Sequence, residues 1–335
     1  MDRNHNKKLK ISVKKLSLAL FAVFLGFLIL IAHHEMYYSI HESESNIIQI
    51  LVSKDKDEDS FELARTESLG FFTDIPESAW MLHKQRFQFT QPNYDDSNKR
   101  KFEQMGRNSN HFWASNFEPE FTCPHEFRLG KLGDGGKWVC DPHRITQTNE
   151  NGKCLVYSIG SNGNFMFETA VFEHVSKDCE IHTFDLKSYG RKKNFAEEAN
   201  KVGVTFHHWG LGSPSRKFPN ARPFKEIIVD LKHEQGTIDL MKIDCEKCEY
   251  YQYQQWFKDW KELGMTVRQV LIELHNSDLP GIVDIFNEFQ KEGYVMFHKE
   301  ANYDNGGNAI EAAFLLLSPE FQRKTSTTTT STARH

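Results

Sequence analysis

Val156-Tyr157-Ser158-Ile159-Gly160-Ser161-Asn162-Gly163-Asn164-Phe165 is an apolar strand running into a glycine-containing turn and then a helix. A strand that ends in glycine lets the backbone turn tightly. Small residues after it let an adenosine-bearing ligand approach the N–H groups at the helix start. Gly160, Ser161, Asn162, Gly163, Asn164 and Phe165 are therefore the first candidate cofactor-binding residues. Their Gly-x-x-Gly spacing is looser than the three-glycine dinucleotide fingerprint, and by itself it also suits a generic turn. The next strand, IHTFDL, ends on Asp185 and Leu186, with Asp185 lying 25 residues after Gly160. An acid at that place accepts hydrogen bonds from ribose hydroxyls, or alternatively caps the following helix. Nicotinamide dinucleotides and S-adenosylmethionine share an adenosine ribose, so these two stretches leave both open.

A third stretch separates them. Thr237–Glu249, TIDLMKIDCEKCE, is an apolar strand whose exit carries Asp244, Glu246 and Glu249. It resembles the FkbM-like S-adenosylmethionine-dependent methyltransferases, whose corresponding strand reads I-D-x-x-K-I-D-x-E-G-x-E, and is most similar to the eukaryotic methyltransferase-like protein 24 group. Asp239, Lys242, Ile243, Asp244, Glu246 and Glu249 carry the match, joined by VYSIGSNGNF, the upstream GDGGKWVC and IELHN at Ile272–Asn276. The similarity spans Cys123–Pro319. It implies a Rossmann-like class I methyltransferase fold, S-adenosyl-L-methionine as cofactor, and a glycan or small hydroxylated acceptor. Two positions depart from the pattern: Lys247 stands where many relatives have glycine, and Ser158 where many methyltransferases of this fold carry an acid that contacts the methionine amine.

Apolar runs of strand length alternate with longer mixed segments, which predicts an α/β domain with a seven-stranded, mostly parallel sheet and helices on both faces. The candidate strands are Cys154–Ile159, Glu180–Phe184, Gly203–His208, Ile238–Ile243, Val267–Leu274, Gly293–His298 and Ala309–Leu317. Helices are expected at Phe165–Ser176, Tyr189–Val202, Tyr250–Leu263 and Gly281–Glu292.

Methyl transfer from a sulfonium is a displacement that rests mostly on positioning, and a hydroxyl acceptor must also lose its proton. The strand exits after Ile243 and Leu274 bring Asp244, Glu246 and His275 to the carboxyl edge of the sheet, where open α/β sheets bind ligands. These three are the candidate catalytic residues, with His275 as base and Asp244 also organising the donor. Two carboxylates and an imidazole suit a divalent ion, although no resident metal is expected. Gly210, in His207-His208-Trp209-Gly210, is a further candidate cofactor contact, since close approach to the adenine favours a residue without Cβ.

Around this domain the organisation reads as a basic tail (1–15), a signal-anchor helix (16–32), a stem (33–114), the methyltransferase domain (115–320) and a Ser/Thr-rich disordered tail (321–335). Leu16–Ala32 is free of charge and preceded by Arg3, Lys7, Lys8, Lys10, Lys14 and Lys15. Positive charge before the span predicts a single-pass type II protein whose domain faces the lumen of the endoplasmic reticulum or Golgi. Six cysteines are then read in an oxidising compartment. Cys123 and Cys140 can close the glycine-rich loop between them, neighbouring strands can bring Cys154 to Cys179, and Cys245 and Cys248 form a CxxC pair. The formal charge is −5, from 41 Lys plus Arg against 46 Asp plus Glu, so no global basic field argues for nucleic acid. Two other functions stay in view. A nicotinamide-dependent oxidoreductase leaves KIDCEKCE unexplained, and a membrane-tethered pseudo-methyltransferase acting as a binding module draws on Ser158 and Lys247.

Overall fold

The computed structural model describes residues 60–90, 116–147, 152–275, 279–302 and 309–323, all within one unit that begins at Ser60. The basic tail, the apolar span, the remainder of the stem, Asn276 and the Thr-rich tail beyond Arg323 lie outside the described residues. Among the described residues no helix is long and apolar enough to cross a membrane.

The strands are β1 Glu126–Leu129, β2 Lys137–Cys140, β3 Leu155–Ile159, β4 Glu180–Phe184, β5 Thr205–His207, β6 Thr237–Ile243, β7 Thr266–His275, β8 Tyr294–Asn302 and β9 Ala309–Leu316. The helices are α1 Glu62–Glu67, α2 Glu77–Thr90, α3 Met166–His174, α4 Phe195–Lys201, α5 Phe224–Leu231, α6 Cys248–Glu262 and α7 Leu279–Lys291. Strands β3 to β9 form one seven-stranded sheet in the order β8-β9-β7-β6-β3-β4-β5. The run from β5 to β7 is parallel, and β9 enters antiparallel between β7 and β8. The expected Rossmann-like sheet is therefore present, mixed rather than purely parallel. The chain winds outward from β3 through β4 and β5, then crosses back to β6. That reversal leaves a crevice beyond the carboxyl ends of β3 and β6, the place where such sheets bind ligands.

Alternation along the strands builds a core on each face. Tyr157, Ile159, Met241, Ile243, Val270, Ile272 and Phe314 pack against α5, α6 and α7. Helix α6 meets them with Tyr253, Trp256, Phe257 and Trp260, spaced at 0, 3, 4 and 7 to form one apolar stripe. Val156, Leu240, Leu271, Ala313 and Leu315 face the opposite way, against α3, α4, α1, α2 and the β1–β2 ribbon.

Three regions differ from the sequence reading. Of the helix expected at Tyr189–Val202 only α4 forms, because Tyr189–Gly190 and Lys193–Asn194 pair as a short antiparallel ribbon before it. Helix α5 was not expected, because the segment SPSRKFPNARP before it reads as loop, yet Phe224, Ile227, Ile228 and Leu231 form a full apolar stripe. Residues 60–90, expected as stem, pack onto the domain. Trp80 is fully buried, and its indole N–H donates to Glu67 Oε2 at 2.7 Å. Lys84 pairs with Glu67 at 2.5 Å, the Ser318 N–H donates to the Glu67 carbonyl at 2.7 Å, and Arg268 donates to the Ser68 carbonyl at 3.2 Å. Mixed charge hid these helices, since Glu67 and Lys84 satisfy each other inside rather than in water. Disulfides join Cys123–Cys140, Cys154–Cys179 and Cys245–Cys248, and no described cysteine is free.

Candidate active site

The crevice has two halves. At the β3–β4 half the glycine-containing turn is stitched to Asp185. The Ser161 and Asn162 N–H groups donate to Asp185 Oδ2 at 3.0 and 2.7 Å, and the Lys187 N–H donates to Oδ1 at 2.8 Å. Asp185 thus shapes the turn, a task beyond the expected ribose contact. Gly160 has φ +81°, and a Cβ there would overlap the Asp244 carbonyl oxygen, so glycine lets β3 and β6 converge. Its carbonyl accepts from Lys242 Nζ.

The other turn residues have local tasks. Ser161 Oγ accepts the Gly163 N–H at 3.2 Å, and Asn164 Oδ1 accepts the Met166 N–H at 3.1 Å. Asn162, with φ +49°, accepts from Lys187 Nζ at 3.2 Å. A Cβ on Gly163 would strike the Phe195 ring. The Phe165 side chain is buried in the core beside α3 and α4. A Cβ on Gly210 would meet Leu186, whose carbonyl accepts from His208 Nε2 at 2.6 Å. Ser158 is fully buried, and its Oγ has no hydrogen-bond partner among the described residues.

The β6–β7 half is charged. His275 Nδ1 lies 3.0 Å from Glu249 Oε1, which also accepts the His275 N–H at 3.0 Å. The other ring nitrogen, Nε2, is 3.6 Å from Glu246, 3.9 Å from Asp244 and 4.0 Å from Glu273. Burial works to lower the His275 pKa, but the Glu249 hydrogen bond and the charges of Glu249, Glu273 and Asp244 outweigh it and hold it at about 9. These neighbours favour the protonated form of His275 near neutral pH, so a proton-accepting role for it strengthens as pH rises toward that value. Glu246 is largely exposed, and Glu246 and Lys247 adopt φ +56° and +85° in the left-handed region. Glycine favours that region, which accounts for the glycine common at this place in the resembling family.

Beneath His275, register sets three glutamates side by side. Glu273 of β7 faces Glu311 of β9, which faces Glu300 of β8. Like charges directly opposite repel. The β1–β2 ribbon answers them. Lys137 Nζ lies 2.7 Å from Glu311 and 3.8 Å from Glu273, while Arg128 Nη2 and Trp138 Nε1 reach Glu300 at 3.1 and 2.9 Å. Burial pushes Glu273 up to about 8, with Glu311 and Asp244 adding to it. Asp244, Glu273 and His275 offer ligand atoms within 4.8 Å of one another, so Glu273 rather than Glu246 completes any divalent-ion set here. Glu249, Glu273, Glu311 and Lys137 were not singled out as site residues. Their signal is a charge inside an apolar strand, as in IELH and IEAAFLLL, and the lysine of GDGGKW.

A turned, amide-rich β3 exit, an acid ending β4, and a Leu186–Gly210 wall fit an adenosine-bearing donor. The solved structures similar to this chain include the METTL16 MTase domain, at 10% identity and TM-score 0.34, covering 52% of this chain and 64% of that one. An rRNA methylase from Streptococcus thermophilus matches at 10% identity and TM-score 0.33, covering 50% and 88%. The 1,6-didemethyltoxoflavin-N1-methyltransferase of Burkholderia thailandensis, solved with S-adenosylhomocysteine, matches at 11% and TM-score 0.29, covering 49% and 72%. These likenesses are too distant to carry a substrate. No curated protein matches the chain. The model of the methyltransferase-domain family Methyltransf_22 matches residues 62–316, a span that takes in α1 and every strand of the sheet. The chain belongs to that methyltransferase-domain family, and S-adenosylmethionine is its cofactor.

Proposed function

We propose that the protein is an O-methyltransferase of FkbM-like type, related to the methyltransferase-like protein 24 group, acting on a glycan or small hydroxylated acceptor in the secretory lumen. The observation that carries the O-methylation reading is the Glu249–His275 pair at the β6–β7 exit. With Glu249 holding Nδ1–H, the lone pair of a neutral His275 sits on Nε2, turned toward Asp244 and Glu246 at the crevice. Gly160, Ser161, Asn162 and Asp185 would hold S-adenosylmethionine, which would supply an activated methyl group to the acceptor oxygen with S-adenosylhomocysteine as the leaving group. Neutral His275 takes the acceptor hydroxyl proton, while Asp244 and Glu246 orient the acceptor through hydrogen bonds to neighbouring hydroxyls.

Lumenal placement, type II topology and the anchor at 16–32 rest on the charge order of the first 32 residues, and three disulfides are the cysteine usage of an oxidising compartment. The acidic net charge favours an acceptor other than nucleic acid. A second reading, a pseudo-methyltransferase that binds without turnover, draws on Ser158, a buried hydroxyl where a carboxylate for the donor amine is expected.

Calorimetry on the purified chain with S-adenosylmethionine and with NAD, followed by mass spectrometry of hydroxylated acceptors incubated with labelled donor, separates the readings. Micromolar donor binding with label on oxygen supports the enzyme. Donor binding without label on any hydroxylated acceptor removes the O-methyltransferase reading.

A further inference from the structure

We infer that Glu180, His182 and His233 form a binding site for a divalent transition-metal ion, best suited to Zn2+, at the opposite end of β4 from the crevice. Glu180 opens β4, and Asp185 follows its last residue, so roughly 16 Å of strand separates the two sites. The inference is independent of the acceptor and of the methyl-transfer reading.

The ligand atoms converge. His182 Nε2 and His233 Nε2 lie 2.7 and 3.3 Å from the same Glu180 oxygen, and all three ligand atoms fall within 4.8 Å of one another. Zinc bonds of about 2.0–2.1 Å in tetrahedral array set neighbouring ligand atoms roughly 3.3 Å apart, which fits the His233–Glu180 spacing. The His182–Glu180 spacing must open by about half an ångström to reach that value. Glu180 can make this movement, because its side chain is mostly exposed. Its exposure also leaves a fourth position open to water, the arrangement of a three-ligand zinc site.

The rear of each imidazole is already held. His182 Nδ1 lies 2.8 Å from His207 Nε2, and His233 Nδ1 lies 2.7 Å from the Tyr157 hydroxyl. Ligating histidines nearly always have their second nitrogen fixed in this way, which orients the ring and sets the tautomer. The backbone is equally placed. Tyr157 and His182 are register partners on β3 and β4, the Glu180 N–H donates to the Cys154 carbonyl at 2.7 Å, and left-handed Lys232 ends α5 and turns the chain into His233. Metal binding needs neutral imidazoles. Burial lowers the His182 pKa, and burial with neighbouring cationic groups brings His207 down to about 4.

A purely hydrogen-bonded arrangement is also self-consistent, with both Nε2–H groups donating to Glu180, so metal titration has to decide. Full-length, disulfide-intact protein is stripped with chelator and titrated with Zn2+ against a fluorescent indicator, with thermal melting in parallel. The expected result is one zinc per chain bound at micromolar affinity or tighter, with a raised Tm. Glu180→Ala and His233→Ala, both at partly exposed side chains, should each weaken that binding at least about tenfold and abolish the zinc-dependent rise in Tm. Asp244→Asn should retain both. Zinc binding unchanged in Glu180→Ala and His233→Ala, or lost in Asp244→Asn, overturns the assignment, as does wild-type binding no tighter than 100 times the expected micromolar range.

Discussion

The two halves of the crevice solve different problems with different chemistry. The β3–β4 half is shaped by backbone. Glycine at 160, left-handed φ at Asn162 and Gly163, and the Asp185 carboxylate that gathers the Ser161 and Asn162 amides together fix the course of the turn. The β6–β7 half is shaped by charge, with Asp244, Glu246, Glu249, Glu273 and Glu311 set against His275, Lys137 and Lys242. A nucleoside needs shape and a few fixed acceptors, whereas removing a proton needs groups whose protonation is tuned by neighbours. The contrast teaches that one topological switch point can set a backbone-shaped side beside a charge-shaped one.

Perturbing the charged half at its counter-ion should have the largest effect. Lys137→Met leaves Glu273 and Glu311 buried without their cation, and breaking such a network costs about 3–5 kcal/mol. Chemical denaturation should show that loss, and a change under about 1 kcal/mol would mean that protonation of Glu311 already relieves the charge. On the β3–β4 half, Gly160→Ala forces a Cβ onto the Asp244 carbonyl at φ +81°. A destabilisation of about 2–4 kcal/mol is expected from clash and strain together, with loss of donor binding by calorimetry.

Asp185→Ala should release the Ser161 and Asn162 amides, costing about 1–3 kcal/mol of stability and abolishing measurable donor binding. Unchanged donor affinity would show that the β3–β4 half is not the donor side. The pH dependence follows from His275 and Glu273. Both hold protons more tightly folded than unfolded, at about 9 against an ordinary 6.5 and about 8 against an ordinary 4.5. Their contribution to stability is therefore greatest at low pH. Glu273's share is lost as pH rises through about 8, and that of His275 persists below 6.5 and goes as pH rises through about 9. Melting temperature should fall between these limits, and turnover should rise over the same window if neutral His275 is the base. A turnover rate flat across it would assign the proton elsewhere. The smallest effect is expected at Lys247→Gly, where relief of the left-handed backbone should stabilise by about 0.5 kcal/mol after the entropy of glycine is counted.

Much of this was legible in the chain. VYSIGSNGNF and IHTFD mark two strand exits because strand, turn and acid are local patterns, and TIDLMKIDCEKCE with IELHN names Lys242, Asp244, Glu246 and His275 of the charged half. Lys137 was not legible as a site residue, since its partners Glu273 and Glu311 lie 136 and 174 residues further along the chain. Helix α2 was hidden for a related reason. Trp80 and Lys84 look like surface chemistry until Glu67 is folded against them.

The sequence by itself determined the α/β class, the two strand exits and the acids that meet there, because periodicity, glycine conformation and residue chemistry act over a few residues. Only the tertiary structure decided what those acids do. The register of β7 against β9 sets Glu273 beside Glu311, and the ribbon brings Lys137 to them. The same register places His275 among carboxylates that raise its pKa. Protonation depends on the distance and burial of groups far apart in the chain, and only the closed fold supplies those.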